Sequence, residues 1–325
     1  MKTITYHRTG NPVEVLTVTE DTPRPAGPGE VRVEVLSTPI HNANVVQVMG
    51  LYGKSPALPA TPGNEGVGRV VEVGEGVTHL QVGATVFITA GSTWTQQITA
   101  PAAAFIPLPE GDIDQLAMLV SSPASAHLML ESYVDLKEGD WVLQSAANSA
   151  VGSCVVQLAK ARGLRTINLV RREEVVEELK VLGADVVLVG TDNLVERIKE
   201  VTDNAPIKLA LDAIGGPVFG LLVDALSMNG TLVSYSQVVL EPAAIAPKDL
   251  IFKQITMSGF WLSQWFEEAS AQDKQALFGK LLPLVASGQL TQAVDATYSL
   301  DQITQAVAHS MGGRRKGKVL LHPNG

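Results

Sequence analysis

Cysteine is almost missing: Cys154 is the only one among 325 residues. No intramolecular disulfide and no multi-cysteine zinc site can form, and a reducing compartment is expected. Basic side chains are in the minority, with 24 Lys and Arg against 33 Asp and Glu and a net charge of −9. The only dense basic cluster is Arg314, Arg315, Lys316 and Lys318, so the sequence offers no broad footprint for nucleic acid. No apolar run approaches the length that spans a bilayer, and the opening MKTITYHRTG lacks the apolar core of a signal peptide. A soluble, cytoplasmic protein without a membrane or nucleic-acid partner is expected. Cys154 falls on a predicted helix, where it reads as a small buried core residue rather than a reactive thiol.

What is abundant points to a well-buried α/β enzyme: hydrophobic residues make up 46% and charged ones 18%, with 29 glycines and 18 prolines spread along the chain. The length exceeds a typical single core and suits two domains. Early in the chain, short β-type runs alternate with turns: EVRVEVL at 30–36, GRVVEVG at 68–74, ATVFITA at 84–90 and TQQITA at 95–100. This spacing predicts a compact, partly barrel-shaped β domain. From about residue 115 the rhythm becomes apolar strand, turn, helix. Strands are predicted at 141–146, 166–170, 185–189, 208–214, 231–235 and 255–260, with helices near 150–162, 173–182, 193–202 and 217–226. Such strands, buried on both faces, predict a doubly wound parallel sheet wrapped by helices. After residue 266 come a helical stretch, a strand near 293–298, a helix from Asp301 and a closing strand at 318–322. These either extend the sheet or return to the first domain; the division expected is 1–115, completed by 266–325, and 116–265.

After the first of the parallel strands the chain reads QSAANSAVG from Gln144. A dinucleotide loop uses glycines for a tight turn, for close backbone approach to pyrophosphate, and for packing helix on strand. Aligning Gly152 with the last of these puts Ala147 and Ser149 at the two earlier positions. Small side chains meet the first two demands approximately, and Asn148 with Ser149 can cap the helix, whose amides face an anion. The alternative is an ordinary capped strand-to-helix turn. At the end of the second strand, nineteen residues beyond Gly152, stand Arg171 and Arg172. An acid there would hold a free ribose hydroxyl, whereas guanidinium groups suit a 2′-phosphate. The alternative is a solvated pair balanced by Glu173 and Glu174. The cofactor implied is NADPH.

With these features the chain resembles the medium-chain dehydrogenase/reductase superfamily over nearly its whole length. Its zinc-dependent alcohol dehydrogenases carry Gly-His-Glu and cysteine ligands; this chain reads Gly63-Asn64-Glu65 and has only Cys154, so no catalytic zinc of that type is expected. Four stretches are similar to the zinc-free 2-enoyl thioester reductases: GLYGKSPALPATPGNEGVGRVVEVG from Gly50, QSAANSAVG, INLVRR from Ile167, and SGFWLSQW from Ser258. The resemblance implies a Rossmann cofactor domain beside a GroES-like β domain. It makes Tyr52 the reactive tyrosine, the alternative being a turn residue. The cofactor set it implies is Ser122, Asn148, Ser149, Ala150, Val151, Gly152, Arg171, Arg172, Tyr235, Phe260, Trp261, Leu262 and Lys318, although Lys318 also fits a surface lysine. Trp94 and Trp265 become walls of a substrate pocket. A homodimer is expected from the superfamily. Departures lie at His41-Asn42-Ala43-Asn44, Ser122-Pro123 and Ser236-Gln237, where the relatives carry other residues, and they put the acyl-thioester substrate in question.

The expected activity is reduction of an activated C=C bond in a 2-enoyl thioester, with Tyr52 donating to the enolate as hydride reaches the β-carbon. A quinone or enone oxidoreductase on the same scaffold is the first alternative, and a non-catalytic NADPH sensor the second. His41 can belong to the site, the alternative being an unpaired structural histidine.

Overall fold

The structure, a computed structural model, describes residues Met1–Gly325 and divides into two units, Met1–Val120 with Leu282–Gly325, and Ser121–Leu281. In the second unit, the four inner strands are short and buried on both faces, as a parallel sheet covered by helices requires. Six strands run Val186–Val189, Arg165–Val170, Trp141–Gln144, Ile207–Asp212, Thr231–Ser234 and Thr256–Gly259 across the sheet. Every pairing is parallel. In chain order this is 3-2-1-4-5-6, the doubly wound arrangement, with its switch point between Trp141–Gln144 and Ile207–Asp212. Trp141, Leu143, Ile167, Leu169, Leu188, Leu209 and Leu232 are buried. The helix Ala150–Ala161 turns Cys154, Val155, Val156, Leu158 and Ala159 inward, which places Cys154 in the core.

The first unit is built on the ten-residue strand Glu30–Pro39, whose alternating burial turns Val31, Val33 and Val35 inward. They pack with Val70, Val86, Ile88 and Phe105. Two register shifts against Gly66–Val73 mark local bulges, which bend a strand and raise its twist. Its far end enters a different core through Ile40, with Ile4, Tyr6, Val45, Val48, Trp94, Val307, Val319 and Leu321. The C-terminal strands Val294–Tyr298 and Lys318–Leu321 join this same seven-stranded sheet, Lys318–Leu321 lying antiparallel to the end of Glu30–Pro39. The chain thus returns to the first sheet and does not extend the parallel one.

Short elements escape the sequence reading. They include the strands Lys2–Thr5 and Thr17–Glu20 and the helices Asn42–Val48, Ser121–Ser132 and Leu262–Glu268. Each is brief or, like Ser121–Ser132, buried on nearly every side with polar residues among the apolar ones, so no clear period betrays it. No helix is long and apolar enough to cross a membrane.

Candidate active site

In the parallel-sheet unit the loop that follows Gln144 sits at the carboxyl end of the first strand, beside the switch point, where such sheets bind ligands. Its tight turn is made at Ala146, which adopts φ 50°, one residue before the position aligned with the first glycine. An L-residue in this left-handed region is strained by about 1–2 kcal/mol, and such strain persists where the surroundings over-determine it. Ser149 caps the helix: its side chain accepts from the Gly152 N–H at 3.1 Å, while Asn148 is exposed. The remaining amides of the first turn carry the partial positive charge of a helix N-terminus.

Gly152 has no room for a side chain. A Cβ there would lie 2.5 Å from the Ala147 carbonyl oxygen and 2.8 Å from that of Ala146, so the helix can approach the loop only at glycine. Below it, the Gln144 side-chain nitrogen donates to the Gly152 carbonyl at 3.1 Å and to Asn168 Oδ1 at 2.7 Å. Asn168 Nδ2 donates in turn to the Val186 carbonyl at 2.9 Å. Gln144 and Asn168 are wholly buried, and their amides tie three strands and the helix start together.

Across the switch point, Ser145 Oγ donates to Asp212 Oδ1 at 2.8 Å and accepts from the Ala213 N–H at 2.9 Å. Asp212 also accepts from the Ile214 and Gly215 amides at 3.1 and 2.8 Å. These two residues were not among the sequence candidates. Their one signal is a polar side chain where an apolar strand ends. The Tyr235 hydroxyl is buried; burial pushes its phenol well up, the neighbouring Ser149 hydroxyl opposes the shift, and Asp212 and Cys154 add to it. Tyr235 is therefore a neutral phenol beside the loop.

Arg171 and Arg172 stand at the tip of the second strand, Arg171 exposed and Arg172 half-buried, and neither is paired with Glu173 or Glu174. Ser122 is buried near the start of Ser121–Ser132. Phe260, Trp261, Leu262 and Trp265 are half-buried where the last strand gives way to the helix Leu262–Glu268. The Phe260 amide donates to the Ser234 carbonyl at 2.8 Å, the Tyr133 hydroxyl to the Gly259 carbonyl at 3.1 Å, and Trp265 meets Phe266 edge to face at 5.1 Å.

The first unit holds Tyr52, Trp94 and Lys318. Gly50, at φ 77°, closes the helix Asn42–Val48, and its amide donates to the Gln47 carbonyl at 3.0 Å. Left-handed backbone of this kind stops a helix, and it delivers a half-buried Tyr52 into the loop beyond. Trp94 departs from expectation. It is 0% exposed in the core formed with Ile4, Tyr6 and Val319, and its indole N–H reaches the Pro39 carbonyl at 3.4 Å. A ring enclosed on all sides packs the interior and offers no substrate wall.

His41 is paired on both sides. Its Nε2 lies 2.5 Å from Glu65 Oε1 and its Nδ1 lies 2.8 Å from Lys318 Nζ. Burial and the Lys318 charge push the imidazole below the ordinary histidine range, against the pull of Glu65. Glu65 also accepts from the Val120 amide at 2.8 Å. Its sequence signal was a charged residue inside a glycine-rich apolar block.

The chain matches two family models: the alcohol dehydrogenase GroES-like domain over residues 27–110 and the zinc-binding dehydrogenase over residues 150–277. It is 34% identical to the mitochondrial enoyl-[acyl-carrier-protein] reductase of Rattus norvegicus, over 96% of this chain and 86% of that protein. Among solved structures, the mitochondrial 2-enoyl thioester reductase heterodimer of Candida tropicalis is similar at 28% identity and a TM-score of 0.89, covering 99% of both chains. One of its chains has also been solved with NADP and crotonyl-CoA. A provisionally named NADPH:quinone reductase of Bacillus thuringiensis matches at 30% identity and a TM-score of 0.91, over 99% of this chain and 98% of that one. No group of three or more His, Cys, Asp or Glu is placed to hold a metal, and Cys154 is buried.

The close packing at Gly152 yields a test. Gly152→Ala must push the helix off the loop, and overpacking of this kind costs roughly 1–3 kcal/mol. The thermal midpoint is expected to fall, and NADPH affinity to fall with it. A Gly152→Ala protein with parental midpoint and affinity would contradict the geometry.

Proposed function

Since the chain belongs to the medium-chain dehydrogenase/reductase family, with enoyl thioester reductases and quinone reductases among its relatives, we propose that it is an NADPH-dependent reductase of an activated C=C bond, acting on a 2-enoyl thioester. The observation that carries the reading is the join of two features at one switch point: a small-residue loop capping a helix, and two arginines at the neighbouring strand end where an acid would select NADH. Ser149 and the first-turn amides of Ala150 and Val151 receive the pyrophosphate, Gly152 brings the helix start close to the loop, and Arg171 and Arg172 grip the 2′-phosphate. Asn148, Ser122 and Tyr235 line the same site. Phe260, Trp261 and Leu262 flank the nicotinamide, Trp265 the acyl chain, and Lys318 supplies a cofactor-facing cation.

When bound, NADPH supplies a hydride for the β-carbon of the unsaturated thioester. The chain's own part is electrostatic. Negative charge develops on the thioester carbonyl oxygen, and Tyr52 donates a hydrogen bond to it. Such a donor acts where charge appears, and its removal typically costs about 100- to 1000-fold in turnover. The similarity to the Bacillus thuringiensis protein favours a second reading, quinone or enone reduction on the same scaffold, which needs the cofactor site and not the phenol.

The partner we propose is a second copy of the chain. Thr256–Gly259 pairs only with Thr231–Ser234 and leaves its other edge open. Met257 on it is 40% exposed and Phe252 just before it 73%. An open strand edge flanked by exposed apolar side chains is normally covered. Sedimentation equilibrium is expected to give the mass of two chains, lowered to one by Met257→Pro, which removes an amide of the open edge, since the amides of Thr256 and Phe260 face the neighbouring strand; a parental protein with the mass of a single chain would sink the homodimer.

Neutral replacement of Arg171 and Arg172 together is expected to raise the Michaelis constant for NADPH by 10-fold or more and largely spare NADH, because only NADPH carries the 2′-phosphate. Equal use of both cofactors by the parental protein would remove the arginines from this role. Tyr52→Phe is expected to cut the turnover of crotonyl-CoA by about 100-fold, with NADPH affinity unchanged in a fluorescence titration. Unchanged turnover with hydride transfer rate-limiting rules Tyr52 out, and naphthoquinone reduction surviving the loss of enoyl reduction assigns the phenol to the thioester alone.

A further inference from the structure

A chain of three charged or titratable groups, Lys318, His41 and Glu65, runs through the first unit. Backbone pairing builds it. Pro39 lies opposite Leu320, and the Ile40 amide donates to the Val319 carbonyl at 2.9 Å, so the next residue on each strand, His41 and Lys318, must meet. Lys318 is fixed by its own amide on the Ala293 carbonyl at 2.7 Å, and the His41 amide is held by Asn44 Oδ1 at 2.9 Å. The side chains of His41 and Glu65 are only 6% and 2% exposed.

The chemistry of the partners fixes the proton. An ammonium has donors and no acceptor, so His41 Nδ1, at 2.8 Å from Lys318 Nζ, must accept. Nε2 therefore carries the hydrogen and donates to Glu65. A doubly protonated ring would set Nδ1–H against the ammonium. The only charged groups acting on the ring are Lys318 and Glu65, and they stand on opposite sides of it.

We propose that His41 is a positioning residue, a neutral imidazole spacer that holds the Lys318 ammonium in one place and keeps it from closing onto Glu65. Without the ring, a flexible lysine and a buried carboxylate attract strongly across a medium of low dielectric constant. Their direct contact withdraws the cation from any anionic ligand. With the ring, the Lys318 nitrogen is held in one place, and the carboxylate accepts from the Nε2–H and the Val120 amide. The inference rests on the reading of Lys318 as a cofactor-facing residue.

Two measurements on the full chain separate the spacer from that reading. Selective ¹⁵N labelling of the six histidines is expected to show His41 as the neutral Nε2–H tautomer across the neutral range, and Lys318→Met to raise its titration midpoint by removing a like charge. Fluorescence titration with NADPH is expected to show about 10-fold weaker binding for His41→Ala, as loss of a charged hydrogen bond implies. His41→Asn, whose amide oxygen falls where Nδ1 stands, is expected to bind within about 3-fold of the parent. In steady state the Ala variant is expected to raise the Michaelis constant for NADPH with turnover nearly unchanged. An Nδ1–H tautomer, or equal NADPH affinities for the Ala and Asn variants, overturns the spacer. Parental affinity in Lys318→Met, with the imidazole signals as described, instead removes Lys318 from the cofactor site.

Discussion

The contact between Gly152 and the turn at Ala146 and Ala147 is the constraint on which the candidate cofactor site depends. With backbone oxygens 2.5 and 2.8 Å from the place of a Cβ, the helix and the loop meet through main chain alone. That closeness lets Ser149 cap Gly152 and turns the first-turn amides toward the strand ends. The strained Ala146 follows from the same demand, since the chain must reverse within a few residues of the strand. Here the surroundings hold an alanine in a conformation that glycine would adopt without strain.

Below the loop, the buried amides of Gln144 and Asn168 carry the constraint outward. Burying an amide costs less when its groups find partners: the two side-chain nitrogens find the Gly152 and Val186 carbonyls, with Asn168 Oδ1 joining the two, while Gln144 Oε1 is buried without a partner. Orientation is thereby fixed, because the atom facing a carbonyl must be the nitrogen. Three parallel strands and one helix are held in register by side chains that an apolar core would not supply. The second strand is one of the three, so its tip, with Arg171 and Arg172, is placed by the same network.

The first unit solves a different problem: it buries charge. An unpaired buried ion costs several kcal/mol, and here each charge is met. Glu65 has His41 and the Val120 amide, and His41 has Lys318. The segment Gly63-Asn64-Glu65 stands where zinc-dependent relatives carry Gly-His-Glu. It contributes a carboxylate to an ionic chain and no metal ligand.

Local pattern determined much of this protein. The alternation of strand 30–36, the fully apolar strands of the parallel sheet, the small residues after Gln144, the arginine pair at the next strand end and the shortage of thiolates are all features of neighbours in the chain. They are legible because hydrophobic period, turn chemistry and ligand count are local quantities. Tertiary structure decided whatever depends on which distant residue arrives. Trp94 looked like a pocket wall because an aromatic ring serves a core and a site equally well, and only packing against Ile4 and Val319 settled it. The left-handed residue fell at Ala146, where the fit of helix to loop put it. The C-terminal strands could have joined either sheet, since their pattern suits both, and they joined the first through pairing with Glu30–Pro39. His41 read as a site residue or an unpaired structural one, yet its partner Lys318 lies 277 residues away. No local period encodes such a meeting, because it is the product of two antiparallel strands whose register is fixed by the cores they cover.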